Sequence, residues 1–135
     1  MPAGATAATG QLALINQDRA GTGRPPLAWN NCLASVAGEN ALRVAAANQI
    51  SHVDGPRQDL RCYLGSYGGE NVAGPYAGGQ NDAVFNTAFM NSVAHYDDIM
   101  GICSICPGGN ANWRFVGAAW AQASNGAWYM AVEFS

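Results

Sequence analysis

The chain has 135 residues, 49% of them hydrophobic and only 11% charged, with a formal net charge of −3. All six basic side chains are arginine, too few for the basic footprint of a nucleic-acid binder or a basic membrane-surface patch. Apolar surface is ample, which excludes a solvated disordered chain. No apolar run approaches the ~18 residues of a membrane helix, so a soluble single domain is expected over residues 1–135, with its ordered core from about residue 8.

Thr6 to about Ala20 predicts a first helix with Leu12 and Ile15 on one face. Gly21-Thr22-Gly23 stops it, and Pro25-Pro26 enforce an extended segment before the short apolar run Leu27-Ala28-Trp29. Asn30 or Asn31 offers an N-cap oxygen to a second helix, in which Leu33, Val36, Ala37, Ala41, Val44 and Ala45 keep helical spacing to about residue 48. That face is alanine-rich and permits close approach of another layer. Residues 49–80 read as irregular, punctuated by glycine and proline, and loops of this length are often functional. Asn81 and Asp82 cap a third helix striped by Phe85, Ala88, Phe89 and Ser92, followed by a turn or short helix through Met100. Phe115–Gln122 and Trp128–Phe134 read as strands joined at Ser124-Asn125-Gly126. On the last strand Trp128, Met130, Val132 and Phe134 share one face, and Tyr129, Ala131 and Glu133 the other. Apolar groups on both faces predict a sheet covered on both sides. Helices first and strands last give an α+β fold, a three-layer α–β–α sandwich with a small antiparallel sheet.

Four cysteines, Cys32, Cys62, Cys103 and Cys106, suit two disulfides in an oxidising compartment better than four reduced thiols. Met1-Pro2 followed by Ala, Gly and Thr lacks the apolar core of a secretory signal, so the expectation is either that a signal has been removed or that the protein is not exported by that route. Cys103-Ser104-Ile105-Cys106 lies in a Gly/Pro-rich loop with no helix after it. It reads as a small disulfide loop rather than a redox pair or half a zinc knuckle. Cys32 with Cys62 then tethers the second helix to the long loop, although three connectivities are compatible with the sequence. Closing a loop of about 30 residues contributes about 3 kcal/mol through the unfolded state.

The order of short motifs carries more than any one of them. Leu14-Ile15-Asn16-Gln17-Asp18-Arg19 precedes Leu27-Ala28-Trp29; then come Ser51-His52, Gly69-Glu70-Asn71-Val72-Ala73, and Phe89 through His95. From about Gln11 to Phe134 this series resembles the CAP superfamily (the SCP domain of cysteine-rich secretory proteins, antigen 5 and pathogenesis-related class 1 proteins). It is most similar to the short bacterial branch. The resemblance implies the α–β–α sandwich, and a secreted or cell-envelope location. It also implies a cleft lined by His52, Glu70 and His95, the chain's only two histidines and the Gly-Glu-Asn glutamate. Two imidazoles and a carboxylate could hold Zn²⁺ with an open coordination position. The chain departs from the longer branch in two places. Asn91 or Ser92 stands where that branch has a second acidic residue, and Asn112-Trp113-Arg114-Phe115-Val116 contains no histidine.

Other constellations point to chemistry less strongly. Ser51-His52 and Ser92…His95 invite a serine-nucleophile reading, but neither serine lies in a G-x-S-x-G elbow. Asp97 and Asp98 read as capping or solvating a helix end. Tyr63, Tyr67, Tyr76, Tyr96 and Trp113 fall in or beside loops, where they either line a ligand groove or pack the loops. The expected function is a non-enzymatic binding module for a small apolar ligand, lipid, sterol-like or envelope-derived. The alternatives are a metal-dependent hydrolase or protease using His52, Glu70 and His95, and a purely structural or interaction domain.

Overall fold

Small residues set how closely the layers of this protein approach. In the computed structural model, which describes residues 1–135 apart from the side chains of 55 and 56, helix α2 (Asn31–Ala47) lies across strands β4 (Phe115–Gln122) and β5 (Trp128–Phe134). The contact surface is Ala37, Ala41, Val44 and Ala45 on the helix, against Ala119, Ala121, Tyr129 and Ala131 on the sheet. A Cβ on Gly117 would collide with the Ala34 backbone nitrogen, so only glycine admits the start of the helix at this distance. Asn30 caps α2 as expected, its Oδ1 accepting the Leu33 N–H at 3.1 Å.

Beyond the sheet lies a second apolar layer. Val116, Ala118, Trp120, Met130, Val132 and Phe134 face Ile15, Phe85, Phe89, Ile99 and Met100. These last come from α1 (Gly10–Ala20), α4 (Asp82–Met90) and α5 (Val93–Met100). Alternate residues of β4 and β5 therefore enter different cores, and the three expected layers are present. The strand order is β1-β4-β5-β3, where β3 is Gly69–Tyr76, with β1 (Ala5–Ala7) and β2 (Ala28–Trp29) sharing one edge of β4. All pairings are antiparallel except the two-residue β2, which runs parallel to β4.

Two sequence expectations change. The first helix does not begin at Thr6: Ala5–Ala7 pairs with Ala119–Ala121 as a strand, and α1 starts at Gly10. Three residues carry too little periodicity to declare a strand, and pairing with an apolar edge decides their conformation. The irregular stretch 49–80 contains helix α3 (Gly55–Asp59), a 3-10 turn (Leu60–Cys62) and the eight-residue strand β3 (Gly69–Tyr76). Gly69-Glu70-Asn71 has neither alternation nor branched side chains, and it becomes a strand by pairing Gly69–Ala73 with Met130–Phe134. The disulfides join Cys32 to Cys62 and Cys103 to Cys106, with Cα atoms 5.8 and 5.3 Å apart. Cys32 at the start of α2 is thereby tied to the turn that follows α3.

Gly117→Ala is expected to lose about 2 kcal/mol of stability in urea unfolding, because the added methyl meets backbone that cannot swing aside. Gly65→Ala is the control, since its Cβ would meet only the Ser135 hydroxyl at 3.4 Å. Equal stability of the two variants would show that α2 can lift from the sheet at no cost.

Candidate functional site

The site forms where the edge strand β3 meets the C-terminal end of α2. Helix α2 ends at Asn48 in the left-handed conformation, with φ of 51°. The Asn48 side chain is held by Tyr129, whose hydroxyl donates to Asn48 Oδ1 at 2.8 Å. Arg43 then captures the departing chain, donating to Ser51 Oγ at 2.6 Å and to the Ser51 carbonyl at 2.9 Å. Ser51 is thus a structural anchor, and the serine-nucleophile reading loses that candidate. The next residue, His52, is presented to Glu70, with Nδ1 and Oε1 2.6 Å apart. The Glu70 side chain is fully buried while that of His52 is 54% exposed. The imidazole therefore forms the outer half of a short, charge-compatible contact whose inner half is out of water.

Glu70 does not stand alone beneath the histidine. Its register partner across the sheet is Glu133 on β5, and Asp59 at the end of α3 completes a group of three buried carboxyls. Glu133 lies between the other two, an electrostatic neighbour of both Asp59 and Glu70. Asn40 on α2 donates to Glu133 Oε1 at 2.9 Å and to Gln58 Oε1 at 2.9 Å. Among the described residues Glu133 Oε2, Glu70 Oε2 and both oxygens of Asp59 have no partner at hydrogen-bond geometry. Such oxygens can face one another only if protons are retained between them. Burial pushes the Asp59 carboxyl up to about 8, with the Glu70 charge adding to the rise and Glu133, Arg61 and the Gly69 backbone opposing it. Burial likewise holds Glu133 well above the usual carboxylate range, reinforced by Asp59 and Glu70.

On the other face of β3, Asn71 Nδ2 donates to the His95 carbonyl at 3.0 Å and ties α5 to the strand. The His95 ring packs edge-on against Phe89, centroids 5.2 Å apart. Burial lowers the His95 pKa, and nearby His52 lowers it further, which places the two imidazoles within electrostatic reach. Asp98 belongs to this group rather than to a solvated helix end. Its Oδ1 lies 3.6 Å from where a Cβ on Gly69 would be. Burial raises its pKa to about 7, His52 opposing and Asp97 and Glu70 adding.

His52 and Glu70 are therefore brought into contact, while His95 stands near them without a hydrogen bond to either. The donor set fits a hydrogen-bonded pair rather than an ion: Glu70 Oε1 is engaged by His52. Among the described residues no three His, Cys, Asp or Glu side chains are disposed to hold a metal. Sequence reasoning missed Asp59 and Glu133 altogether. The signal for Glu133 was present: a lone carboxylate on a strand whose two faces are both apolar must be buried. Asp59 carried no such mark. Of the loop aromatics, Tyr63 is 93% exposed, whereas Tyr67 and Tyr96 pack against the core. Tyr76 lines a groove with Ala73, Pro75, Val84, Phe85 and Ala88. The groove holds about 160 Å³ between the end of β3 and α4. No charged residue lines it. Among the described residues no helix is long and apolar enough to cross a membrane.

The carboxyl cluster makes stability fall as pH rises. Asp59 keeps its proton to about pH 8 when folded, against an ordinary value of 3.8. Between those limits the folded chain binds more protons than the unfolded one, so its stabilisation is complete below the lower value and is lost on approach to the upper. The melting temperature is expected to drop by about 5 °C or more from pH 5 to pH 8. Asp59→Asn should flatten that slope and raise the melting temperature at pH 8. A wild-type protein as stable at pH 8 as at pH 5 would show that the carboxyls do not share protons.

Comparison with known proteins agrees with this architecture. An outer surface protein from Borrelia burgdorferi superimposes with a TM-score of 0.71 at 18% identity, over 93% of this chain and 89% of that one. A cysteine-rich secretory protein from Staphylococcus aureus gives 0.65 at 21% identity, over 94% of this chain and 37% of its own. An extracellular protein containing a SCP domain from Bacillus anthracis gives 0.66 at 22% identity, over 93% and 39%. At these identities the likeness is one of fold, and the present chain spans under two fifths of the last two proteins. No curated protein is a match. The cysteine-rich secretory protein family (CAP) matches residues 12–132, nearly the whole chain, and the protein belongs to that family.

Proposed function

We propose that this protein is an exported, non-enzymatic binding module that takes the end of an apolar chain in the groove between β3 and α4. The observation that carries this reading is the groove itself: about 160 Å³, open to solvent, and lined by Ala73, Pro75, Tyr76, Val84, Phe85 and Ala88 without a charge. Phe85 floors it, held edge-on between Tyr76 and Trp120 at centroid distances of 5.7 and 4.7 Å. A cavity of about 150 Å³ accommodates one benzene ring. The size therefore favours a chain terminus or a single ring over a rigid four-ring sterol, with the rest of the ligand outside. Two disulfides support an oxidising location. Structural relatives described as outer-surface, secretory and extracellular proteins support the same placement. In this reading His52, Glu70 and His95 support the framework of the cleft rather than transform a substrate. His52 closes over a carboxyl it also satisfies, and Asn71 locks the backbone of His95.

A neutral fluorescent fatty alcohol, followed by polarisation, tests the proposal without an acid group that could bind elsewhere. Saturable binding is expected in the wild type. Ala88→Trp, which fills the groove from an exposed position, is expected to weaken it by about tenfold or more. His52→Ala and His95→Ala are expected to retain it. Absence of binding in a folded wild type, or full binding by Ala88→Trp, would overturn the reading. Loss of a hydrolytic turnover in both histidine variants would replace it with catalysis.

A further inference from the structure

Half of the arginines in this acidic chain gather around one cavity. It holds about 240 Å³, beside the C-terminal end of α1, and is lined by Arg19, Arg24, Arg114, Asn110, Asn112 and Trp113 among others. It shares no lining residue with the apolar groove, and no carboxylate lines it. Among the described residues, none of these three guanidiniums lies within ion-pair distance of an acidic side chain. The three such pairs present involve His52, Arg57 and Arg61.

Arg19 is 3% exposed. Its Nε donates to the Pro25 carbonyl at 2.9 Å and its Nη1 to the Ile99 carbonyl at 2.8 Å. These neutral acceptors fix the guanidinium in place without cancelling its charge. Arg24 stands beside it with a buried Nε that has no hydrogen-bond partner among the described residues. Burial and the neighbouring Arg24 charge both depress the Arg19 pKa. Arg114 is exposed, placed over the Phe115 ring at 5.3 Å, with one Nη donating to the Leu64 carbonyl. Opposite them, Asn110 Oδ1 accepts the Asn112 N–H at 2.7 Å, which braces the turn and leaves the Asn110 amide nitrogen uncommitted. Trp113 is braced too, its Nε1 donating to the Asp98 carbonyl at 2.8 Å, so the indole offers a fixed wall. A buried cation next to a second cation, with an orphaned donor between protein and solvent, is costly unless an anion completes it.

We propose that this cavity binds a small molecule through a carboxylate or phosphate group. Arg24 and Arg114 hydrogen-bond the anion, Arg19 supplies a buried fixed charge, and the neutral body of the ligand rests on Trp113 and the Asn110–Asn112 turn. Guanidinium pairs suit both oxyanions because their donors match the spacing of two oxygens. The volume corresponds to roughly eight waters, room for a ring as well as the charged group.

Isothermal titration with glucuronate, glucose 6-phosphate and glucose separates the two anion chemistries from the shared body. At least one of the anionic sugars is expected to bind saturably, and glucose at least about tenfold more weakly. Whichever anion binds names the class. Arg24→Gln is the principal variant, since the Arg24 side chain makes no hydrogen bond within the described residues, and it is expected to keep the wild-type melting temperature while losing about tenfold in affinity. Arg114→Gln should do the same, with a small stability cost from the lost Leu64 contact. No saturable binding by either anion, equal binding of glucose, or unchanged affinity in a folded Arg24→Gln protein would each overturn the proposal.

Discussion

The approach of α2 to the sheet is the constraint from which the rest of the site follows. With Gly117 beneath Ala34 and alanines along both surfaces, no layer of water fits between helix and strands. Any polar side chain that points into that interface must find its partner within the protein. Asn40 does so with Glu133, and burial beside one another holds the Asp59 and Glu133 carboxyls well above the usual carboxylate range. The close packing also fixes where α2 ends. The exit of the chain through Asn48, Arg43 and Ser51 then delivers the half-exposed His52 onto the buried Glu70 carboxyl. The His52–Glu70 contact is in this sense a product of backbone proximity rather than an independent device.

Much of this was legible in the sequence. The terminal strands match Phe115–Gln122 and Trp128–Phe134 residue for residue, because alternation, a turn signal and branched or aromatic side chains all agree there. The second helix was equally clear, from cap to apolar face. His52 and Glu70 were named from short motifs, and they meet. What could not be read were elements created by a partner. β3 is polar and glycine-rich, and only β5 makes it a strand; β1 exists because β4 offers an edge. The burial of Asp59 and of Asp98, the latter read as solvating a helix end, was invisible for a related reason: an exposed aspartate and a buried one look alike until tertiary structure supplies the burial. The arginines of the cavity are spread over positions 19, 24 and 114, and no local window contains their juxtaposition.

Trp113 connects the two polar regions of the molecule. It stacks on Phe134 at an interplanar angle of 22°, bonds the Asp98 carbonyl, and lies where a side chain on Gly69 would collide with it. One side of the indole belongs to the arginine cavity, and the other supports the residue before Glu70. The tryptophan thus sets the separation between a region of retained protons and a region of uncancelled positive charge. A single braced aromatic both requires the glycine at 69 and forms a wall of the cavity.

The position of β4 and β5 has a consequence for how the chain reaches this state during synthesis. They lie at the centre of the sheet and pair with every other strand, yet they are encoded after residue 114. Until the ribosome has made them, β1, β2 and β3 have nothing to pair with and α2 has no surface to cover. The nascent chain therefore carries most of its length as unpaired segments, held together at most by local helices. Such late, long-range closure makes folding slow, as expected for high contact order. It also leaves an extended polypeptide able to pass through a narrow channel before the last strands lock the rest in place.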